Sequence, residues 1–320
     1  VKVLVTGATG AVGPAVVEHL LREGHQLRLF VRGAAGRSDI EIVTGDCADR
    51  AAVDRAVAGM DAVVHLAAVL HQSTVTPAVR DAYEAVNVGG TANVIDAARA
   101  HGVRRVIVAS TIAVYGYNRG MVLQETSSLL PDTDYARSKV RAEEIALAGG
   151  ATVFRFGAIY GSRVKGNYQR LVRTLTRGKF MRIGKGTNRR TVIFDEDAAA
   201  AIALGLTAPA AAGQVYNVAH PHTPTVNDIL SAISSALGRR PPRFRLPAGL
   251  VRAAVAAVER SARAIGVRSP VTAAMVDKYL EDVVVSSAKI ERELGFVARH
   301  DIDEGWAMAL RAMRDAPPRT

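Results

Sequence analysis

Residues 1–13 read VKVLVTGATGAVG, and this stretch decides the fold. VKVLV has the β-branched, apolar make-up of a short buried strand. In TGATGAVG, Gly7, Gly10 and Gly13 lead into PAVVEHLLREG, where Val16, Val17, Leu20 and Leu21 share one side of a helix that ends at Gly24. Glycines between a strand and a helix let the backbone approach a pyrophosphate at the positive end of that helix. The pattern gains weight from its neighbours. QLRLFVR is a second strand, and the same unit recurs as EIVTGD, the helix DRAAVDRAVAGM, the strand AVVHLAA, a long helix from about Ala78 to His101 and the strand RRVIVAS. Alternating strand and helix means a parallel sheet with right-handed crossovers, and ligands then lie beyond the carboxyl ends of the strands.

Further strands are expected at ATVFRFG, RTVIFD and QVYNVA, and beyond Ala219 the chain becomes largely helical. The expected class is therefore α/β, a doubly wound parallel (Rossmann) sheet with a smaller, mostly helical C-terminal substrate domain. Residues 1–161 and 190–219 form the dinucleotide-binding part; 162–189 and 220–320 form the substrate part. The tail RDAPPRT is expected to be disordered.

Composition narrows the class. With 320 residues, 49% hydrophobic and 22% charged, the chain folds rather than staying disordered. Its most apolar run, Ala198 to Gly213, is broken by Gly205 and Pro209, so no integral membrane span is expected. The N-terminal residues lack the apolar run of a signal peptide, and a single cysteine, Cys47, forbids an intrachain disulfide; both fit the cytoplasm. The net charge of +11 is concentrated between Arg239 and Arg268, where eight arginines face one acid, Glu259. Without interleaved aromatics for base stacking, that block reads as a solvated helix face with arginine stems over an alanine-rich core, ahead of weak membrane-surface contact, and nucleic acid is not expected as a partner.

The cofactor reading starts from an acid expected at the end of the second strand, where it would bond the ribose hydroxyls of NAD. Val31 stands there and Arg32 follows, which suits a 2′-phosphate and favours NADP(H) over NAD(H). Asp46, beside Cys47, is placed to meet the adenine amino group, or to cap the next helix. Thr9, Ala11 and Val12 complete the glycine turn, and Leu66, Ala67 and Ala68 follow the strand that ends at His65, a residue more often structural than catalytic when alone.

Six ordered motifs, TGATGAVG, VVHLAA, VNVGGT, STIAVYG, YARSK and RFGAIYG, spread over roughly half the chain, resemble the extended short-chain dehydrogenase/reductase family. The resemblance implies NAD(P) binding and a catalytic set of Thr111, Tyr135 and Lys139, with Asn87 on the long helix steadying the lysine's surroundings, and Phe156 and Ile159 near the nicotinamide. No metal is implied. Tyr135 and Lys139 stand four apart in a helical segment, so both rise on one face. A phenol titrates near about 10 in water, and a neighbouring ammonium lowers that value, so Tyr135 can move a proton to or from a substrate oxygen that Thr111 holds.

Dehydratase relatives carry Asp-Glu after the hydroxyl residue; this chain has Ile112-Ala113, which disfavours loss of water and leaves ketone reduction or epimerisation. The segment from Val164 to Ile202 resembles the substrate side of nucleotide-sugar enzymes. It implies Asn167 and Arg190 as substrate contacts, Arg190 on a diphosphate, with Arg163, Lys165, Lys185 and Arg189 nearby. A nucleoside-diphosphate sugar is the expected substrate. The rival is an apolar flavonoid-like or steroid-like ketone, suggested by LPAGLVRAAVAAVE and SSAKIERELGF; a protein that senses NADP without turnover has no need of Tyr135 and Lys139. A homodimer through helices 78–101 and 134–148 is also expected.

Overall fold

The computed structural model describes all residues except 34–36, 73, 117–119, 164–166, 268, 270 and 316–320. Seven strands form one parallel sheet: Lys2–Thr6 (β1), Gln26–Val31 (β2), Glu41–Thr44 (β3), Ala62–His65 (β4), Arg105–Thr111 (β5), Thr152–Phe156 (β6) and Val215–Val218 (β7). Their spatial order is β7-β6-β5-β4-β1-β2-β3. The winding reverses between β1 and β4, which opens a crevice at their carboxyl ends.

Val3, Leu4, Val5, Val63, Val64, Ile107, Val108, Val153 and Phe154 are fully buried, because helices cover both faces of the sheet. Strands covered on both faces read as continuous apolar runs rather than alternating ones. On one face, helix Gly13–Arg22 packs with helix Asp195–Thr207, whose Ala198, Ala199 and Ala201 permit a close approach. The other face carries helices Arg50–Val57 and Asp134–Ala148 and the long helix, which runs as Pro77–Ala82, a π-helical stretch Tyr83–Gly89, and Gly90–Ala100. Ion pairs Arg80–Asp134 and Arg141–Glu84 tie the long helix to Asp134–Ala148.

The strand expected at RTVIFD forms as Val192–Phe194, but it pairs with Ala158–Tyr160 outside the seven-stranded sheet. There it belongs to another core, where Trp306 stacks on Tyr160 with ring centroids 4.9 Å apart and Ile229, Leu230, Ile233 and Leu310 close around them. Helices Val226–Ala236 and Ile302–Asp315 supply these residues, the former opened by a capping box of Thr225 and Asp228. Ile290, Leu294 and Phe296 return to the core of the main sheet. Of RDAPPRT, Arg314 and Asp315 end the last helix and the remainder lies outside the described residues.

The arginine-rich block departs from its expected packing. Helix Ala248–Ala264 buries none of its residues and lies against helix Ala273–Leu280, so it covers no alanine-rich core. Among the described residues, no helix is long and apolar enough to cross a membrane.

Candidate active site

The glycine turn is built for close approach. Gly7 has φ +70°, and a β-carbon on it would stand 2.6 Å from the Ala67 nitrogen; one on Gly13 would stand 2.2 Å from the Ala8 carbonyl oxygen. Both positions therefore exclude any side chain. Gly10 closes the turn by donating to the Gly7 carbonyl at 2.9 Å. Helix Gly13–Arg22 begins at Val12 with no side chain capping its first N–H groups and no acid in its first turn. Those donors and the positive helix end suit a pyrophosphate. Thr9 is exposed on this turn, Ala11 and Val12 are half-buried in it, and Leu66, Ala67 and Ala68, also half-buried, face it across the β1–β4 crevice. The residues present thus fit a dinucleotide.

At the end of β2, Val31 is buried and Arg32 exposed. Arg32 lies close enough to Cys47 to draw its thiol down, but burial dominates and pushes it up to about 12, so Cys47 offers no thiolate. Its carbonyl accepts from Asn93 Nδ2 at 2.9 Å. Asp46 accepts from the Ala48 N–H in a local turn, while the cap of helix Arg50–Val57 is Asp49. Phe156 is buried in the sheet core against Phe154, which leaves its backbone rather than its ring for any cofactor contact; Ile159 is half-buried.

Thr111, Tyr135 and Lys139, the set that the resemblance implies, come together at the carboxyl end of β5. Thr111 ends that strand and caps the 3₁₀ turn Ile112–Tyr115, its Oγ1 accepting from the Ala113 N–H at 3.2 Å. Helix Asp134–Ala148, capped by Thr133, carries Tyr135 and Lys139 on one face. Burial, reinforced by the nearby Tyr83 phenol, pushes Tyr135 up to about 12, and a hydrogen bond with Thr111 opposes the rise. Lys139 is buried; its Nζ donates to the Ala109 carbonyl at 2.6 Å, and desolvation brings it down to about 8 against the pull of Glu143. The expected lowering of the phenol by the lysine is absent in this arrangement, because the ammonium is turned onto the β5 backbone.

Asn87 bonds backbone and a neighbour of Lys139. It sits in the π-helical stretch, its Oδ1 accepts from the Val69 N–H at 2.8 Å, and its Nδ2 donates to the Val69 carbonyl and to Ser138 Oγ. It thereby fastens the loop after β4 to the helix of Tyr135. Two residues unforeseen in the sequence flank the Tyr135 ring: Tyr83, with centroids 5.9 Å apart, and His71, edge-on at 6.1 Å. Tyr83 lies one helical turn before Asn87, and His71 lies in the loop leaving β4; these positions were the available signal.

His65 is structural. Thr91 donates its hydroxyl hydrogen to the Asn87 carbonyl, so His65 Nε2 donates to Thr91 Oγ1, and Thr6 Oγ1, already accepting from Ala67, donates to Nδ1. Burial, with the Lys139 charge nearby, pushes this imidazole down to about 3. The unfolded chain takes up a proton near pH 6.5 that the native state refuses until about pH 3. Stability therefore falls as pH drops through that window, by about 1.4 kcal/mol per unit from this group. Urea unfolding at pH 7 and pH 5 is expected to show wild type losing about 2 kcal/mol more than His65→Asn; equal losses would refute the assignment.

On the substrate side, Arg190 donates to the carbonyls of Glu281, Tyr279 and Lys278, closing the end of helix Ala273–Leu280. Arg189 pairs with Asp282, and Arg163 and Lys185 are exposed. Asn167 opens helix Asn167–Thr176, and its side chain, like Lys165 as a whole, lies outside the described residues.

A glycine turn at a sheet crevice, facing a Thr–Tyr–Lys set, defines an NAD(P)-dependent enzyme of the short-chain dehydrogenase/reductase class. Residues 3–219 match the model of the NAD dependent epimerase/dehydratase family, and the chain belongs to that family. It is 30% identical over 312 residues, 95% of this chain and 92% of the other, to the N-acetyl-α-D-glucosaminyl-diphospho-ditrans,octacis-undecaprenol 4-epimerase of Escherichia coli O157:H7. It is 28% identical, over 92% of this chain and 85% of the other, to a 3β-hydroxysteroid dehydrogenase/Δ5→4-isomerase of Mycobacterium tuberculosis. Among solved structures it resembles a Thermus thermophilus UDP-glucose 4-epimerase complexed with NAD, with a TM-score of 0.76 and 25% identity over 99% of this chain and 100% of that one.

Proposed function

We propose that the protein is a ketoreductase or epimerase of a sugar carried on a diphosphate, with a nucleoside-diphosphate sugar as substrate. The observation that carries this reading is Tyr135 set near Thr111, whose hydroxyl holds down its pKa, with Ile112 and Ala113 rather than carboxylates following that hydroxyl. Such a site moves one proton at one oxygen and lacks the acid-base pair that water loss requires. The dinucleotide, when bound, supplies or accepts the hydride. With its pKa near 12, Tyr135 holds its proton at neutral pH and is poised to give it to a carbonyl oxygen; taking a proton back requires a cation beside it, and Lys139 is the residue that would swing from Ala109 to provide one. Glu143 favours the charged lysine needed for this. Arg32, exposed where an acid would greet the ribose of NAD, supports NADP(H). The Escherichia coli and Thermus relatives are named for sugar 4-epimerisation, which supports the substrate class. The same reading carries a cytoplasmic homodimer through the paired helices.

A second reading, reduction of an apolar ketone, is favoured by the engagement of Arg190 with three backbone carbonyls, which leaves it to be released before it can bind a diphosphate. One experiment separates them. The purified protein is denatured, any released nucleotide is identified by mass spectrometry, and refolded protein is supplied with NADP(H) or NAD(H) and either UDP-N-acetylglucosamine, UDP-glucose or a 3-oxosteroid. Conversion of a UDP-sugar is the expected result; turnover of the steroid alone would transfer the assignment to the second reading.

A further inference from the structure

The outer face of helix Ala248–Ala264 is unlike a solvated one. Leu250, Ala254, Ala257, Val258, Ser261 and, just past the helix, Ile265 recur at spacings of three and four and share one side at 3.6 residues per turn. Val251, Val255 and Ala262 are half-buried on another side, where Glu259 accepts from the Ala273 N–H and Arg252 pairs with Asp277 of the neighbouring helix. Leu250 is 68% exposed and Ile265 75%. No charged residue interrupts this face, whereas a helix face meant for water is polar.

Cations stand close to it in the chain, Arg260 on the helix itself and four more arginines in the ten residues before it. Arg252 and Arg263 have acidic partners, but Arg239, Arg240, Arg243, Arg245 and Arg260 form no ion pair among the described residues. Arg239, Arg240 and Arg243, with Leu175, Phe180 and Phe244, line an open depression, and the Phe244 ring is 81% exposed. Unpaired guanidinium groups call for anions, and an exposed apolar helix face that follows them in the chain calls for something fluid and apolar directly behind those anions. Acidic protein surfaces lack the second property, and a nucleic acid, bound by its phosphates, would leave the apolar helix face from Leu250 to Ile265 uncovered.

We propose that this face docks on an anionic phospholipid bilayer, the apolar side of helix Ala248–Ala264 entering the headgroup boundary while the arginines meet lipid phosphates. Arg190 ties helix Ala273–Leu280, the partner of the docking helix, to the chain beside the Val192–Phe194 strand, so attachment would bring the substrate side of the molecule to the lipid surface. The proposal is independent of which substrate is turned over.

Its test is co-sedimentation of the full chain with vesicles of phosphatidylcholine alone or mixed with phosphatidylglycerol. Wild type is expected to partition roughly tenfold more onto the mixed vesicles at low salt, with the difference shrinking as salt rises. Two variants, Leu250→Glu/Val258→Glu/Ile265→Glu and Arg239→Glu/Arg240→Glu/Arg243→Glu, are each expected to lose that binding while retaining the wild-type melting temperature and dinucleotide titration. If the first variant fails to fold, Leu250→Ser/Ile265→Ser replaces it. The proposal is overturned if wild type stays in the supernatant with the mixed vesicles, or if folded variants sediment like wild type. It is overturned equally if sedimentation velocity shows the apolar face pairing two copies of the chain without lipid.

Discussion

Tyr135→Phe is expected to lower kcat by about 10³-fold, within the range that a positioned general acid-base group contributes, while leaving dinucleotide affinity nearly unchanged. The substitution removes a single oxygen. The phenyl ring keeps its contacts with Tyr83 and His71, Lys139 keeps its bond to Ala109, and the glycine turn is untouched. What disappears is the phenolic proton beside Thr111, the one proposed to pass to the substrate oxygen. Steady-state kinetics alongside fluorescence titration with the reduced dinucleotide read both quantities. Full activity in the variant would show that the proton comes from elsewhere, and loss of activity together with loss of dinucleotide binding would show that the hydroxyl holds the dinucleotide rather than moving a proton.

The largest expected effect on stability lies two turns further along the same helix. Glu143 is buried and takes three charge-assisted contacts from Arg155, itself buried in β6, while Ser110 donates to it from the strand between. Arg155 also donates to Tyr115 Oη, which donates onward to Asn217 Oδ1. Two buried ions suit each other only as a pair. Glu143→Leu leaves a guanidinium without its counter-charge between sheet and helix, and is expected to destabilise by about 3–5 kcal/mol in urea unfolding. Glu143→Leu/Arg155→Leu removes both charges and is expected to recover much of the loss, since well-packed apolar replacements of buried pairs are often neutral. A single variant within about 1 kcal/mol of wild type would mean that water reaches this layer.

The sequence made the main sheet legible because its strands are covered on both sides and read as unbroken apolar runs, and because the glycine turn marks where the first crossover begins. The positions of Thr111 and Tyr135 were legible for the same reason, being fixed to strand and helix ends. What the sequence withheld were choices between partners far apart in the chain. Val192–Phe194 has strand composition, but only the fold decides that it pairs with Ala158–Tyr160. Lys139 sits one turn from Tyr135, yet its ammonium finds a backbone carbonyl across the gap to β5. Arg190 and the amphipathic helix Ala248–Ala264 show the same limit: residue type announces a need for a partner without naming it.

The return of Ile290, Leu294 and Phe296 to the main core bears on how this protein can be divided. The span matched by the family model stops at residue 219, well before those side chains. Excised there, the sheet would keep its turn and Thr111, Tyr135 and Lys139 but would expose the floor on which three large apolar groups rest. The dinucleotide-binding half is therefore not a portable module, and chimaeras that graft a new C-terminal half onto it must carry along residues 288–296 or rebuild what they fill.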